Sequence, residues 1–120
     1  MRIIVCGGRD FEHKADVFAA LDRLHGQRPV SLLIHGAAPG ADLLAEDWAR
    51  AREIPYFGVP AKWTVDGKAA GPMRNAAMAA LKPTAELLVA FPGGRGTANM
   101  IDAAETMDIK VWRPYPNRSA

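Results

Sequence analysis

The 120-residue chain reads as an α/β protein, a Rossmann-like three-layer sandwich in which about four helices cover a five-stranded parallel sheet. Two observations carry this reading. Short apolar runs (Arg2–Cys6, Val30–Ile34, Glu86–Phe91) alternate with segments of helical spacing, and glycine clusters follow the first, second and fourth strands. A strand buried on both faces is a continuous apolar run, as parallel sheets require. Right-handed crossovers leave few topologies, and 3-2-1-4-5 is the usual order for five strands. That order sets the loops after the first and fourth strands side by side.

Each element has its own signal. Arg2-Ile3-Ile4-Val5-Cys6 is a strand ended by Gly7-Gly8. Val17, Leu21 and Leu24 fall at i, i+4 and i+7 and predict a helix over about 12–25, with Gly26 as its stop. Val30 to Ile34 is the second strand, closed by Gly36; from Gly40 onward Leu44, Trp48 and Ala51 again have helical spacing. Pro55 to Pro60 is short and proline-bounded, which suits an edge strand. The polar stretch 61–71 reads as a long irregular loop, a candidate functional segment. Pro72 then suits the first turn of a helix running to about Lys82, with Met73, Ala77, Ala80 and Leu81 as its apolar side. Glu86–Phe91 is a strand, Thr97–Met107 a helix through Ile101, Ala104 and Met107, and Ile109–Trp112 the last strand. One domain is expected over 1–113, followed by a short tail over 114–120.

Composition excludes several classes. Hydrophobic residues at 49% and charged residues at 23%, with 11 Gly and 9 Pro, are an ordinary globular mixture. Runs such as Leu87–Phe91 fall far short of the roughly 20 residues of a membrane span. No cleavable leader pattern follows Met1–Val5, so a cytoplasmic protein without a membrane partner is expected. The single Cys6 allows no internal disulfide or Cys-rich zinc site, and it reads as a core residue; no metal-ligand spacing emerges. A net charge of +2, with eight Lys/Arg against five Asp/Glu in residues 61–120, is too small a surplus to announce a nucleic-acid partner.

In open α/β sheets ligands bind at the carboxyl ends of the strands. Four loops converge there: Gly7-Gly8-Arg9-Asp10-Phe11, Gly36 to Asp42, the 61–75 stretch, and Phe91 to Thr97. In the last, Gly93, Gly94 and Gly96 let backbone N–H groups close on a ligand, Thr97 offers a cap or a hydroxyl, and a helix N-terminus favours an anion. A phosphate fits. Two better-known phosphate motifs are absent. The only Gly-Lys pair, Gly67-Lys68, is followed by Ala69 rather than Ser or Thr. The dinucleotide fingerprint lacks its third glycine, Asn99 standing nearby, and has His35 where an acid would end the second strand. ATPase and NAD-dehydrogenase readings drop out, and no cofactor is implied.

Other residues join the site by their chemistry. Arg74 sits near a helix start, where the macrodipole disfavours a cation, and so reads as ligand-facing. Arg9 and Arg95 can offer planar forks to phosphate, Asp10 and Asp42 can accept from ribose hydroxyls, and Gly36 and Gly40 shape the second loop. Trp63, between Lys62 and Lys68, can stack on a base. His35 can bond a ligand or a neighbouring loop, while His13 and His25 read as surface residues.

Phe91-Pro92-Gly93-Gly94-Arg95-Gly96-Thr97 resembles the Pro-Gly-Gly-x-Gly-Thr signature of the SLOG superfamily. His35-Gly36-Ala37-Ala38-Pro39-Gly40-Ala41-Asp42, Gly67 to Asn75, and Gly7 to Phe11 resemble its small YspA-like, cpYpsA-related branch, so the resemblance covers nearly the whole chain. It implies a Rossmann-like fold and a pocket for nucleotides or nucleotide-derived ligands, including Asn75 on the ligand-binding helix. The superfamily also contains the LOG phosphoribohydrolases, which pair this loop with a glutamate two to three residues beyond its Thr and with an Arg-Lys pair on the preceding helix. Arg74 matches the arginine, but Asn75 stands in place of the lysine, and Asn99 and Met100 stand where the acid would be. An oxocarbenium-like transition state needs a nearby carboxylate.

The reading best supported is therefore a binding protein for a nucleoside phosphate or an ADP-ribose-like molecule. The alternative is a nucleotide hydrolase such as a LOG-like phosphoribohydrolase, with Arg74, Asp10, Asp42 and Asp102 as catalytic candidates, Asp102 lying one turn after Asn99. Single-stranded DNA binding ranks third. A homodimer is an option to which Met73, Met78 and Tyr56 would contribute if exposed.

Overall fold

The computed structural model describes residues 1–116, so part of the expected tail, 117–120, lies outside the described residues. Strands β1 (Arg2–Cys6), β2 (Leu32–His35), β3 (Tyr56–Gly58), β4 (Leu87–Ala90) and β5 (Lys110–Trp112) form one parallel sheet in the order β3-β2-β1-β4-β5. Helices α1 (Lys14–Gln27) and α2 (Ala41–Ala51) cover one face. Helices α4 (Ala70–Ala80) and α5 (Arg95–Thr106) cover the other, and a one-turn helix α3 (Trp63–Asp66) leads into α4. The fold class and strand order are those the sequence predicts.

The pleat explains the two cores. In β1 Ile3 and Val5 point to α1 and α2 and meet Val17, Leu21, Ala45 and Trp48, while Ile4 and Cys6 point to α4 and α5 and meet Met78, Met100 and Ala104. β1 is the central strand, and Ile3, Ile4 and Val5 are each fully buried. β3, bounded by Pro55 and Pro60, is an edge strand as expected. Trp48 is fully buried, and its indole N–H donates to Asp22 at 2.8 Å. Arg52 closes a fork on the same carboxylate at 2.8 Å per bond, and these bonds, Arg52 first, hold the Asp22 carboxyl down at about 2. That cluster pins α1 to α2.

Three local expectations are corrected. Gly26 does not stop α1; the helix continues to Gln27 and ends because Arg28, which precedes Pro29, is extended at φ −151° and ψ 116°. The stretch 61–71 is not irregular: it holds α3, a 3-10 turn at Gly67–Ala69 and the first residues of α4. Gly67, at φ +59°, supplies the left-handed bend between them. Third, α4 starts at Ala70, ends at Ala80 and turns a different side to the core. Met73, Ala77 and Ala80 are exposed, whereas Gly71, Asn75, Met78 and Ala79 are buried. In so Ala-rich a helix apolar spacing marks no unique side, and the side carrying Asn75, whose amide finds partners on α5, is the one turned inward.

Met78 is thus a core residue at 2% exposure, and of the three residues considered for a dimer contact only Met73, at 53%, is well exposed. Among the described residues no helix is long and apolar enough to cross a membrane. Met78→Ala should cost about 2–5 kcal/mol in urea unfolding. Met73→Ala should stay within about 0.5 kcal/mol.

Candidate functional site

The carboxyl ends of β1 and β4 are joined through backbone. Gly8 N–H donates to Pro92 O at 2.8 Å, and Gly8 O accepts from Ala41 N–H and Phe11 N–H, each at 3.2 Å. Side chains have no room in this junction. A Cβ on Gly7 would stand 2.5 Å from that of Ala41, and one on Gly93 would stand 2.7 Å from Gly8 N. Gly40, at φ +79°, would place its Cβ 2.2 Å from Gly8 O. Gly94 and Gly96 differ: a Cβ on either would meet nothing within 4 Å. Gly7, Gly40 and Gly93 therefore build the junction, and Gly94 and Gly96 leave space open above it.

That space is a cavity of about 400 Å³. It brings together Gly7, Gly8, Arg9, Asp10, Asp42, Arg74, Asn75, Gly94, Arg95, Gly96 and Thr97 from the expected set. Gly36 lies in an adjoining depression of about 170 Å³ over β2 and β3, and Gly93 in another of about 170 Å³ over β4 and β5. Asp102 is exposed and lines none of the three, because its turn of α5 has rotated away from the sheet edge. Sequence reasoning did not select Ala38 or Met100, which also line the cavity; neither carries a chemical signal that motif reading could detect.

The start of α5 faces the cavity. Ala98 N–H makes the first bond of the helix, to Gly94 O at 3.1 Å, which leaves the N–H groups of Arg95, Gly96 and Thr97 without helical acceptors. Gly94 is the N-cap, so Thr97 is not, and the buried Thr97 makes no side-chain hydrogen bond among the described residues. Arg9 and Arg95 likewise have no hydrogen-bond or ion-pair partner among the described residues, and with Arg74 they outnumber the carboxylates of Asp10 and Asp42 on the cavity wall.

Arg74 is positioned rather than loose. Its Nη1 donates to Gly36 O, and its Nε donates to Asn75 Oδ1 at 2.8 Å. Burial lowers its pKa from the ordinary value, Arg9 adds like-charge repulsion, and the Asp42 charge opposes both. Asn75 in turn donates to Asn99 Oδ1 at 2.9 Å and to Gly96 O at 3.3 Å, which ties α4 to the start of α5. Asn75, in the position of the LOG lysine, is thus bonded to Asn99, which with Met100 stands where the acid would be, and all three are uncharged.

Asp42, 5% exposed, turns its Oδ2 back to Gly36 N–H at 3.1 Å and Ala38 N–H at 3.2 Å and so folds the second loop. Burial nevertheless raises its pKa, against those hydrogen bonds and the nearby Arg74. His35, 1% exposed, accepts from Ala37 N–H at 2.9 Å on Nδ1 and bonds Glu46 at 2.8 Å through Nε2, so it serves the loop and not the cavity. His25 is not a pure surface residue, since its Nδ1 accepts from Val30 N–H at 2.9 Å. Cys6 lines the cavity, but burial first, and Asp42 second, push its thiol pKa up and so favour the neutral thiol. Among the described residues no group of three or more His, Cys, Asp or Glu side chains is placed to hold a metal.

A parallel sheet in this order, with an arginine-lined cavity at its carboxyl edge, defines a Rossmann-like α/β protein. Residues 1–65, which contain β1, β2, β3 and the first two glycine loops, match the YspA, cpYpsA-related SLOG family (YAcAr), and the chain belongs to that family. It is also similar to the "Gene 61 protein" of Mycobacterium phage D29, at 34% identity over 118 residues that cover 92% of this chain and 93% of the phage protein.

Two outcomes test the geometry. Gly40→Ala should destabilise by about 1–3 kcal/mol or more, whereas Gly94→Ala should cost only about 0.5–1 kcal/mol, as a lost N-cap, and Gly96→Ala should keep or raise the melting temperature, as circular dichroism melts would record. For Asp42 the folded pKa lies above the unfolded value of about 3.9, so its contribution is full below that pH and is lost as pH rises through the folded value. Asp42→Asn lacks this loss. The melting temperature of the variant relative to the native protein should therefore climb between about pH 3 and pH 7.

Proposed function

We propose that this protein binds a nucleotide or nucleotide derivative, with a phosphate held at the start of α5 and the sugar directed toward Asp10. The observation that carries the reading is the coincidence, on one cavity wall, of the free N–H groups of residues 95–97 with the unpaired Arg9 and Arg95. SLOG membership supports it, because that superfamily is associated with nucleotide-related ligands in general. The open positions at Gly94 and Gly96 support it too, since a phosphate can approach backbone there without meeting a side chain.

The same geometry favours binding over hydrolysis. A LOG-type mechanism stabilises a cationic sugar with an acid just past the glycine loop, and here the uncharged Asn99 and Met100 occupy that place, with Asn99 bonded to Asn75. Of the catalytic candidates, Asp42 is committed to the second loop and Asp102 is remote from the cavity. The purified protein should therefore be stabilised by AMP or ADP-ribose and should release neither base nor phosphate from them. At about 100 times the dissociation constant a ligand adds roughly 2.7 kcal/mol, a shift of several degrees for a domain of this size.

Arg95→Ala and Arg9→Ala should each weaken AMP binding by about tenfold in calorimetry while leaving the unliganded melting temperature unchanged. Gly96→Ala should weaken it too, although alanine is the better helix former at that position. Product formation that disappears in Asp10→Asn would establish a hydrolase instead. No stabilisation by any phosphate-bearing ligand would leave the Gly93–Thr97 loop a structural turn.

A further inference from the structure

We propose that Trp63 is the platform on which the base of the ligand stacks, with the base lodged in the depression over β2 and β3; this rests on the phosphate reading above. Trp63 is a large aromatic that the fold leaves 51% exposed, and it lines both the main cavity and that depression. Among the described residues its indole stacks on no other ring and no cation. An exposed tryptophan at the seam of two cavities has a π-face open to solvent beside an anion site.

Local structure holds the indole there. The one-turn helix α3 carries Trp63 back over the first turn of α4, where Gly71 leaves room for it: a Cβ on Gly71 would lie 3.3 Å from the ring edge at Cη2. The rest of the depression mixes small apolar side chains with polar surface, which suits a flat group with polar edges. Its walls include Ala37, Pro39, Pro60 and Ala61, and its inner end is formed by Arg9 and Arg74. Arg9, Ala38, Trp63 and Arg74 line both spaces, so one ligand can place its phosphate at α5 and its base against Trp63. The depression over β4 and β5 also adjoins the main cavity, through Gly94 and Thr97, but it offers no tryptophan. Stacking tolerates any base, and so Trp63 selects nucleotides over sugar phosphates without choosing among bases.

The test compares AMP with ribose 5-phosphate, the same phosphate and sugar without a base, on the native protein and on Trp63→Ala and Trp63→Phe. Trp63→Ala should weaken AMP by roughly 10- to 100-fold and ribose 5-phosphate by less than about twofold, with Trp63→Phe retaining most of the AMP affinity. AMP should also change the tryptophan emission of the native protein and leave that of Trp63→Phe unchanged, since Trp48 is fully buried and Trp112 lies on β5, at the opposite end of the sheet from β3. Equal losses for both probes would make Trp63 a mere support of the α3 turn and overturn the proposal. Unchanged AMP affinity would do the same and would place the base elsewhere, the β4–β5 depression being next to examine. If the native protein binds ribose 5-phosphate no more weakly than AMP, stacking is wrong and the phosphate reading stands. If it binds neither, both fall.

Discussion

The architecture of the site depends on a backbone junction around Gly8. One residue of the β1–α1 loop, Gly8, donates its N–H to the β4–α5 loop and accepts at its carbonyl from the first turn of α2, and Gly7, Gly40 and Gly93 are the residues that let the three segments come this close. Hydrogen bonds between buried backbone groups are individually modest, but leaving one unmade is costly, so the three loops are positioned together or not at all. The start of α5 consequently arrives with its free N–H groups aimed at a fixed point. The cavity is the space left above that junction by two further glycines, Gly94 and Gly96.

The charges around this point divide into braced and unbonded groups. Arg74 is braced by Gly36 and Asn75, whereas Arg9 and Arg95 have no protein partner among the described residues and retain their full hydrogen-bonding capacity for an incoming anion. Asp42 keeps the wall from being uniformly positive, but its carboxylate is occupied in shaping the second loop. The Asn75–Asn99 pair then gives the family fold a neutral brace between α4 and α5 where hydrolytic relatives in the superfamily carry charge. Asp10 is then the carboxylate on the cavity wall that makes no side-chain hydrogen bond or ion pair among the described residues.

Much of this was legible in the sequence because it follows from period and punctuation. Five short apolar runs, the first, second and fourth followed by glycine clusters, specified the parallel strands, and the clustering of glycine and arginine after the first and fourth runs located the cavity. What escaped was whatever depends on tertiary context. Ala-rich α4 has apolar residues on several sides, so its inward side is settled by the partners of Asn75, which no spacing rule contains. The α3 turn was invisible because four residues, Trp63–Asp66, carry too little periodicity to register as a helix. The glycines looked equivalent in sequence, yet a side chain would clash at Gly7, Gly40 and Gly93 and meets open space at Gly94 and Gly96, a division fixed by what stands opposite each one. Asp42 could not be assigned either, since its role is set by the peptide groups that fold back onto it.

The first turn of α5 is the proposed anion seat of a nucleotide site. A crystal structure of the protein with AMP bound tests it most directly. The account predicts phosphate oxygens within about 2.7–3.2 Å of the N–H groups of residues 95–97, with Arg9 or Arg95 closing on the same group. AMP held with its phosphate away from that turn, or seated only over β4 and β5, would contradict it.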